Sequence, residues 1–329
     1  LFVALETSRH VAVVDPVRKA EIYRFDAGRA PQGLTISDDG LRLYVNNFMD
    51  RTLGVFDLTR LVRYGELSVA PLAAVPAVSI EKLTAPVLTG KRLFYDARDP
   101  RLARDGYMSC ASCHDDGRHD GRTWDMTGLG EGLRNTISLR GRSGGQGFKH
   151  WSGNFDEIQD FEGQIRLLAQ GTGLMADAQF NAGTRAQPLG EPKGGLSQDL
   201  DALAAYVQSL KEFAPSPMRT AGGTLTAKAS SGKPVFASKC ASCHGGAGFT
   251  DSGINTLRNV GTLKSSSGQR LGGPLTGIDT PTLRDVWSTG PYLHDGSAAT
   301  IVDAVKAHTN VTLSDTQLSN VAAYVLQIG

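Results

Sequence analysis

Cys110-Ala-Ser-Cys113-His114 recurs, residue for residue, as Cys240-Ala-Ser-Cys243-His244, and the two copies use all four cysteines of the chain. C-x-x-C-H is the attachment signature of a c-type haem. Each thiol adds across a porphyrin vinyl group, and the adjacent imidazole is placed to bind the iron from one side. Other readings of paired cysteines explain less. A redox C-x-x-C needs no following histidine and belongs beside a βαβ pattern, which the sequence lacks. A four-cysteine zinc site separates its pairs by roughly 15–20 residues, far fewer than lie between Cys113 and Cys240. A structural disulfide leaves the histidine after each pair unexplained. The pattern predicts two covalent haem c groups, one on Cys110, Cys113 and His114 and one on Cys240, Cys243 and His244.

Each motif sits in a repeated frame. Gly90-Lys91-Arg92-Leu93-Phe94 precedes the first and Gly232-Lys233-Pro234-Val235-Phe236 the second. Ala204-Ala205-Tyr206-Val207 follows the first and Ala322-Ala323-Tyr324-Val325 the second. Apolar residues spaced by three and four (Leu200, Leu203, Val207, Leu210; Leu318, Val321, Ala322, Val325) predict an amphipathic helix closing each unit. Ser314 with Gln317 predicts a capping box at the start of the last helix. Pro215-Ser216-Pro217 and Ala221-Gly222-Gly223-Thr224 mark the joint between the units.

The first 60 or so residues read differently. Leu1-Phe2-Val3-Ala4 matches Leu43-Tyr44-Val45-Asn46, and Val13-Val14-Asp15 matches Val55-Phe56-Asp57, at an offset of about 42 positions. Alternating β-branched and aromatic residues, with a turn at Asp38-Asp39-Gly40, predict short strands. A period near 40–45 residues is that of a four-stranded propeller blade, and the stretch resembles the YVTN family of β-propellers. About one and a half blades cannot close a ring that takes four to eight. The missing blades are expected before residue 1 or from another chain; a small independent β-meander is the alternative.

Composition sets the remaining bounds. A chain of 329 residues has room for two or three domains, and 40% hydrophobic residues support ordinary cores. A formal net charge of +1 argues against binding nucleic acid or anionic membrane through bulk electrostatics. No stretch approaches the roughly 20 apolar residues of a membrane span. The 39 glycines suit loop-rich, haem-wrapping structure. The expected class is mainly α: two cytochrome c-like haem domains in tandem behind a partial β-propeller. The expected bounds are 1–62 for the propeller blades, 63–84 for a linker, 85–214 for the first haem domain, 215–227 for a second linker and 228–329 for the second haem domain.

Four segments carry a further resemblance: Lys91-Arg92-Leu93-Phe94-Tyr95-Asp96 leading to Ser109-Cys110, Arg134-Asn135-Thr136, His150-Trp151-Ser152-Gly153, and Thr280-Pro281-Thr282-Leu283-Arg284 through Pro291-Tyr292-Leu293-His294-Asp295-Gly296. Over roughly residues 85–329 the chain resembles the di-haem cytochrome c peroxidase and MauG family. The resemblance implies that the first haem meets peroxide or a related oxidant, that the second passes electrons in, and that Trp151 lies between them. It places His308 as sixth ligand of the second iron, where the peroxidases carry methionine and MauG-type members tyrosine. Where the peroxidases carry a displaceable distal histidine this chain has Thr127, so an open first iron is expected, with His119, His150, Met126 and Met175 as nearby candidate ligands. Glu157 and Glu162 are candidates for the proton-moving carboxylate, off the family's spacing. The resemblance also implies one Ca²⁺, held by the Asn135 side chain and the Thr289 and Pro291 carbonyls.

Covalent haem attachment takes place outside the cytoplasmic membrane, so a periplasmic or otherwise exported location is expected. The chain opens Leu1-Phe2-Val3-Ala4-Leu5 without a signal peptide, which predicts that it begins inside a longer precursor. The expected partners are a small redox protein as electron donor, of cytochrome or cupredoxin type, and peroxide, with no nucleic acid. Two alternatives stand beside the peroxidase: a non-enzymatic di-haem carrier docked through the propeller, and a haem-dependent oxygenase acting on an organic substrate.

Overall fold

In the computed structural model, which describes residues 1–141, 147–254 and 256–329, the alternating N-terminal stretch forms two antiparallel meanders. The first contains β1 (Phe2–Leu5), β2 (His10–Asp15) and β3 (Ala20–Asp26). The second contains β4 (Pro31–Ile36), β5 (Arg42–Asn47), β6 (Thr52–Asp57) and β7 (Ala70–Pro76), with the short helix α1 (Thr59–Tyr64) before its last strand. The internal repeat lays β1 on β5 and β2 on β6. Inward-facing Val11, Val13, Phe25, Leu43, Val45, Phe56 and Leu58 from the two sheets share one core, with the Phe25 and Phe56 rings 5.1 Å apart.

Strand β7 falls in the stretch expected to be a linker. All seven of its residues are exposed, so no alternation marked it in the sequence. Among the described residues it pairs only with β6, and it carries Pro71 and Pro76, which an edge strand tolerates because proline has no N–H to offer a neighbour.

The remaining helices are α2 (Ala85–Phe94), α3 (Phe161–Leu167), α4 (Asp177–Phe180), α5 (Gln198–Ser209), α6 (Ala227–Lys239), α7 (Ile301–Lys306) and α8 (Asp315–Val325). A small ribbon pairs β8 (Thr123–Asp125) with β9 (Leu133–Asn135). The chain divides into two compact units. One comprises Leu1–Ser112, Gln164–Asp177 and Gly194–Tyr206; the other comprises Cys113–Gly163, Ala178–Lys193 and Val207–Gly329. The division falls inside the first haem motif, between Ser112 and Cys113.

The repeated frame has a packing explanation. In the first unit α2 meets α5 at Gly90, where a methyl group would overlap the Ala202 carbonyl. Phe94 then packs edge-on against Tyr206, centroids 5.0 Å apart. In the second unit α6 meets α8 at Gly232, where a methyl would overlap the Asn320 carbonyl, and Phe236 packs on Tyr324 at 5.1 Å. Glycine and phenylalanine four residues apart lie on one helix face, so the Gly-x-x-x-Phe and Ala-Ala-Tyr-Val segments are two halves of one helix crossing, built twice. The expected faces are buried at Leu200, Leu203 and Val207 on α5 and at Leu318, Val321, Ala322 and Val325 on α8, whereas Leu210, expected on the first face, lies just past the end of α5 and is half-buried. Ser314 and Gln317 form the expected capping box.

The strands of the first unit dock on α2 and the segment after it. The Lys91 ammonium lies 4.4 Å from the centre of the Phe48 ring, Arg92 donates to the Met49 carbonyl at 3.3 Å, and Arg9 forms an ion pair with Asp96.

Candidate haem-binding sites

No disulfide joins the four cysteines, and among the described residues no three His, Cys, Asp or Glu side chains converge on a bare metal ion. Cys110 opens a 3-10 turn, Cys110–Ser112. Burial pushes the Cys113 and Cys240 thiols up to about 11, so both stay protonated, the form that adds across a vinyl group.

Each motif histidine has its Nδ1 held by a backbone carbonyl. An imidazole binds a metal through one nitrogen, and the hydrogen bond of the other fixes which one. The Nδ1 of His114 meets the Arg118 carbonyl at 3.2 Å, and that of His244 meets the Phe249 carbonyl at 3.4 Å. The proton therefore sits on Nδ1 and the lone pair on Nε2. Burial holds both histidines down at about 4, so they are neutral near pH 7 and have no proton to lose before ligation.

His308 repeats the arrangement. It stands just past α7, whose Thr300–Asp303 capping box fixes the start of the helix, and its Nδ1 meets the Ala304 carbonyl at 2.8 Å. After burial, the next influence depressing His244 is the charge of His308, which lies near enough to interact with it. Two imidazoles, each held through Nδ1, would suit a six-coordinate haem iron.

His119 is used otherwise. Its Nε2 meets the Ser288 carbonyl at 2.8 Å and its Nδ1 accepts from the Gly121 amide at 3.1 Å, so both ring nitrogens already serve the backbone. Met126 is half-buried and opens the 3-10 turn Thr127–Leu129. Met175 is buried in the first unit.

Trp151 is pinned by two of the matched segments. Its indole N–H donates to the Asn135 carbonyl at 2.8 Å, and its own carbonyl accepts from the Asp279 amide at 2.8 Å. The Asn135 amide N–H donates to the His294 carbonyl at 2.6 Å, while buried His294 meets the Ser267 hydroxyl through Nε2 at 2.7 Å. Arg270 donates to the Ser152 and Gly153 carbonyls, both at 2.8 Å. Such over-determined backbone makes Trp151 a rigidly held side chain.

The Asn135 side chain tests the fit of a calcium ion. Its Nδ2 faces the carbonyls of Pro291 and Leu293, and its Oδ1 is buried without a hydrogen-bond partner. Half a turn of the amide exchanges the two atoms without changing its shape and sets three oxygens together, the donor chemistry of calcium. Thr289 closes the 3-10 turn Val286–Ser288 beside this segment.

Glu157 caps the 3-10 turn Ile158–Asp160 and accepts from the Lys193 amide at 2.5 Å, which fastens residues 187–193 locally. Glu162 on α3 is wholly buried.

Sequence reasoning missed two groups. Glu131 is buried, and it accepts from Asn154 Nδ2 at 2.8 Å, Ser152 Oγ at 3.2 Å and Arg134 Nε at 3.2 Å. Burial alone would raise its carboxyl, but His150, Asn154 and Arg134 outweigh that and hold it near 2. Asp279 is the converse. Burial pushes it up to about 7 against the help of the Ser252 hydroxyl at 2.7 Å. Both Ser152 and Asn154, which flank Gly153 in a matched segment, contact Glu131, but no local pattern announced it. Nothing in the sequence marked Asp279.

Residues 84–229 match a family model described as di-haem cytochrome c peroxidase, and residues 229–329 match one described as cytochrome c. The chain is 28% identical over 273 residues to hydrazine synthase subunit gamma of Kuenenia stuttgartiensis, covering 71% of this chain and 72% of that protein. It is 27% identical over 273 residues to methylamine utilization protein MauG of Methylophilus methylotrophus, covering 75% and 79%. A solved MauG-like protein associated with microbial copper homeostasis aligns with a TM-score of 0.54 over 76% of this chain and 90% of that one, at 20% identity, a likeness of fold alone.

Proposed function

This chain belongs to the di-haem cytochrome c peroxidase and MauG family, and we propose that it is an exported peroxidase in which electrons enter beside His244 and His308 and peroxide is reduced beside His114. Haem c, when bound, supplies the iron and conjugated ring that accept and store electrons one at a time. The chain's own residues do the rest. Cys110, Cys113, Cys240 and Cys243 fix two porphyrins covalently. His114, His244 and His308 each have Nδ1 held by a backbone carbonyl and present Nε2. Trp151, held between segments 133–135 and 278–282, offers an indole on the path between the two sites. Asn135, with the Thr289 and Pro291 carbonyls, would hold one Ca²⁺. The strands β1–β7 have the number and order of parts of two propeller blades, and in this reading they belong to a YVTN-type propeller.

The observation that carries the proposal is the unequal preparation of the two sites. His244 has a backbone-tethered histidine beside it, which suits a saturated electron-transfer iron. At the first site the histidine near His114 is His150, held by the Asn154 and Glu131 side chains rather than by its own helix, and in this reading it stays off the iron and leaves it open to an oxidant. The test is stoichiometric. Stopped-flow mixing of holoprotein with peroxide and a reduced c-type cytochrome or cupredoxin is expected to oxidise two donor molecules per peroxide. Donor oxidation without peroxide loss, or no oxidation at all, would reject the enzyme in favour of the carrier.

A further inference from the structure

The residue before Trp151 sits in a setting that attachment and electron transfer leave unused. His150 has φ of +65°, a left-handed conformation that a non-glycine residue keeps only when its surroundings enforce it. Here a bridge between Lys149 and Phe155 closes the loop around it. Its ring lies against Phe155, with centroids 4.3 Å apart, and edge-on to Phe161 at 5.1 Å. Nδ1 donates to Asn154 Oδ1 at 3.0 Å and lies 3.4 Å from Glu131 Oε1. Asn154 in turn donates to that same carboxylate oxygen at 2.8 Å. Glu131 and Asn154 are 8% and 6% exposed, so the pair works in a medium where a carboxylate polarises an imidazole strongly.

The proton of neutral His150 is locked on Nδ1, which leaves Nε2 as a base. The Glu131 carboxylate also stands 3.4 Å from Nδ1, on the ring edge away from Nε2. A histidine that served only packing would need no buried anion behind it; His119, whose nitrogens meet backbone groups alone, shows that bland case. His150 also lies near enough to His114 for their charges to interact, as His308 does to His244.

We propose that His150, oriented by Asn154 and Glu131, is the acid–base residue of the first haem site, carrying a proton between the two oxygens of peroxide. The inference rests on the peroxide reading and names its missing proton carrier. Nε2 takes the proton from one oxygen of HOOH and returns it to the other as the O–O bond breaks, so that the second oxygen leaves as water. Two electrons, supplied singly by two molecules of the small redox protein, and two protons from solvent convert the remaining oxygen to a second water. The sum is HOOH + 2 H⁺ + 2 e⁻ → 2 H₂O.

The test uses holoprotein loaded with both haems and a readout independent of turnover. Cyanide arrives as HCN and must lose a proton to bind ferric iron, so its association rate reports a base at the site. His150→Gln is expected to slow both cyanide association and peroxide reduction by about 10²–10⁴-fold. Glu131→Gln, which keeps the imidazole, is expected to slow both by about tenfold, and His119→Gln to slow neither. Unchanged cyanide association in both His150→Gln and Glu131→Gln would overturn the proposal. So would a wild-type first haem that is low-spin and turns high-spin in His150→Gln, because His150 would then be an iron ligand. If the wild type leaves peroxide untouched while His150→Gln still slows cyanide, the peroxidase reading fails and the acid–base residue stands.

Discussion

Gly232→Ala is a severe test of the crossing that carries the second haem motif. At this position a Cβ would overlap the Asn320 carbonyl and lie 2.9 Å from the Val321 nitrogen. Both are backbone atoms of α8, so no flexible side chain can yield. The helices must part by about 1 Å, which loosens Phe236 from Tyr324 and from the core around Val286, Ile301, Val321 and Val325. Overpacking of this kind costs about 1–3 kcal/mol, and more where backbone must shift. Replacing a helical glycine by alanine returns only about 0.5–1 kcal/mol. With backbone on both sides the cost falls at the upper end of that range, which leaves a net loss of about 2 kcal/mol, or a fall in Tm of roughly 4–8 °C at about 2–4 °C per kcal/mol. Gly163→Ala supplies the control: this glycine lies within α3 with no atom near its missing Cβ, so alanine is expected to stabilise by about 0.5–1 kcal/mol. Thermal unfolding of the holoprotein, followed by far-UV dichroism, reads both. A Gly232→Ala variant that melts at or above wild type would refute the close-crossing argument.

Other expectations follow from single groups. Lys193 and Asp160 form an ion pair at 2.5 Å with both side chains at most 2% exposed. Lys193→Met strands the carboxylate and is expected to cost about 3–5 kcal/mol in chemical denaturation; a loss under 1 kcal/mol would contradict that. Asp279 keeps its proton to about 7 in the folded chain, against an ordinary value of 3.8. Between those values the native state holds a proton that the unfolded chain has shed, so stability falls as pH rises through the window. Asp279→Asn removes the penalty. Its gain over wild type should be absent below pH 4 and reach on the order of 4 kcal/mol above pH 7, and a gain independent of pH would refute it. His308→Met is expected to raise the potential of one haem in a spectroelectrochemical titration, since a thioether ligand favours ferrous iron. Unchanged potentials would remove His308 from the iron.

What the sequence disclosed, and what it hid, follows from where each signal resides. The haem motifs are local chemistry, so five consecutive residues suffice to read them. The helix crossings were legible because Gly232 and Phe236 must recur at fixed spacing wherever two helices approach so closely. Strand β7 was illegible because an exposed edge has no buried face to impose alternation. The Glu131, Asn154 and His150 cluster joins residues from separate loops, so no local pattern in the chain announced it. Asp279 was silent because its shifted carboxyl depends on burial beside Ser252 and the Trp151 carbonyl, partners far away in sequence.

The central claim is an inequality between two irons, and low-temperature electron paramagnetic resonance of the fully ferric holoprotein reads it most directly. The account predicts one high-spin and one low-spin signal of equal integrated spin, with the high-spin signal alone lost on adding one equivalent of peroxide. Two low-spin signals that ignore peroxide would contradict it.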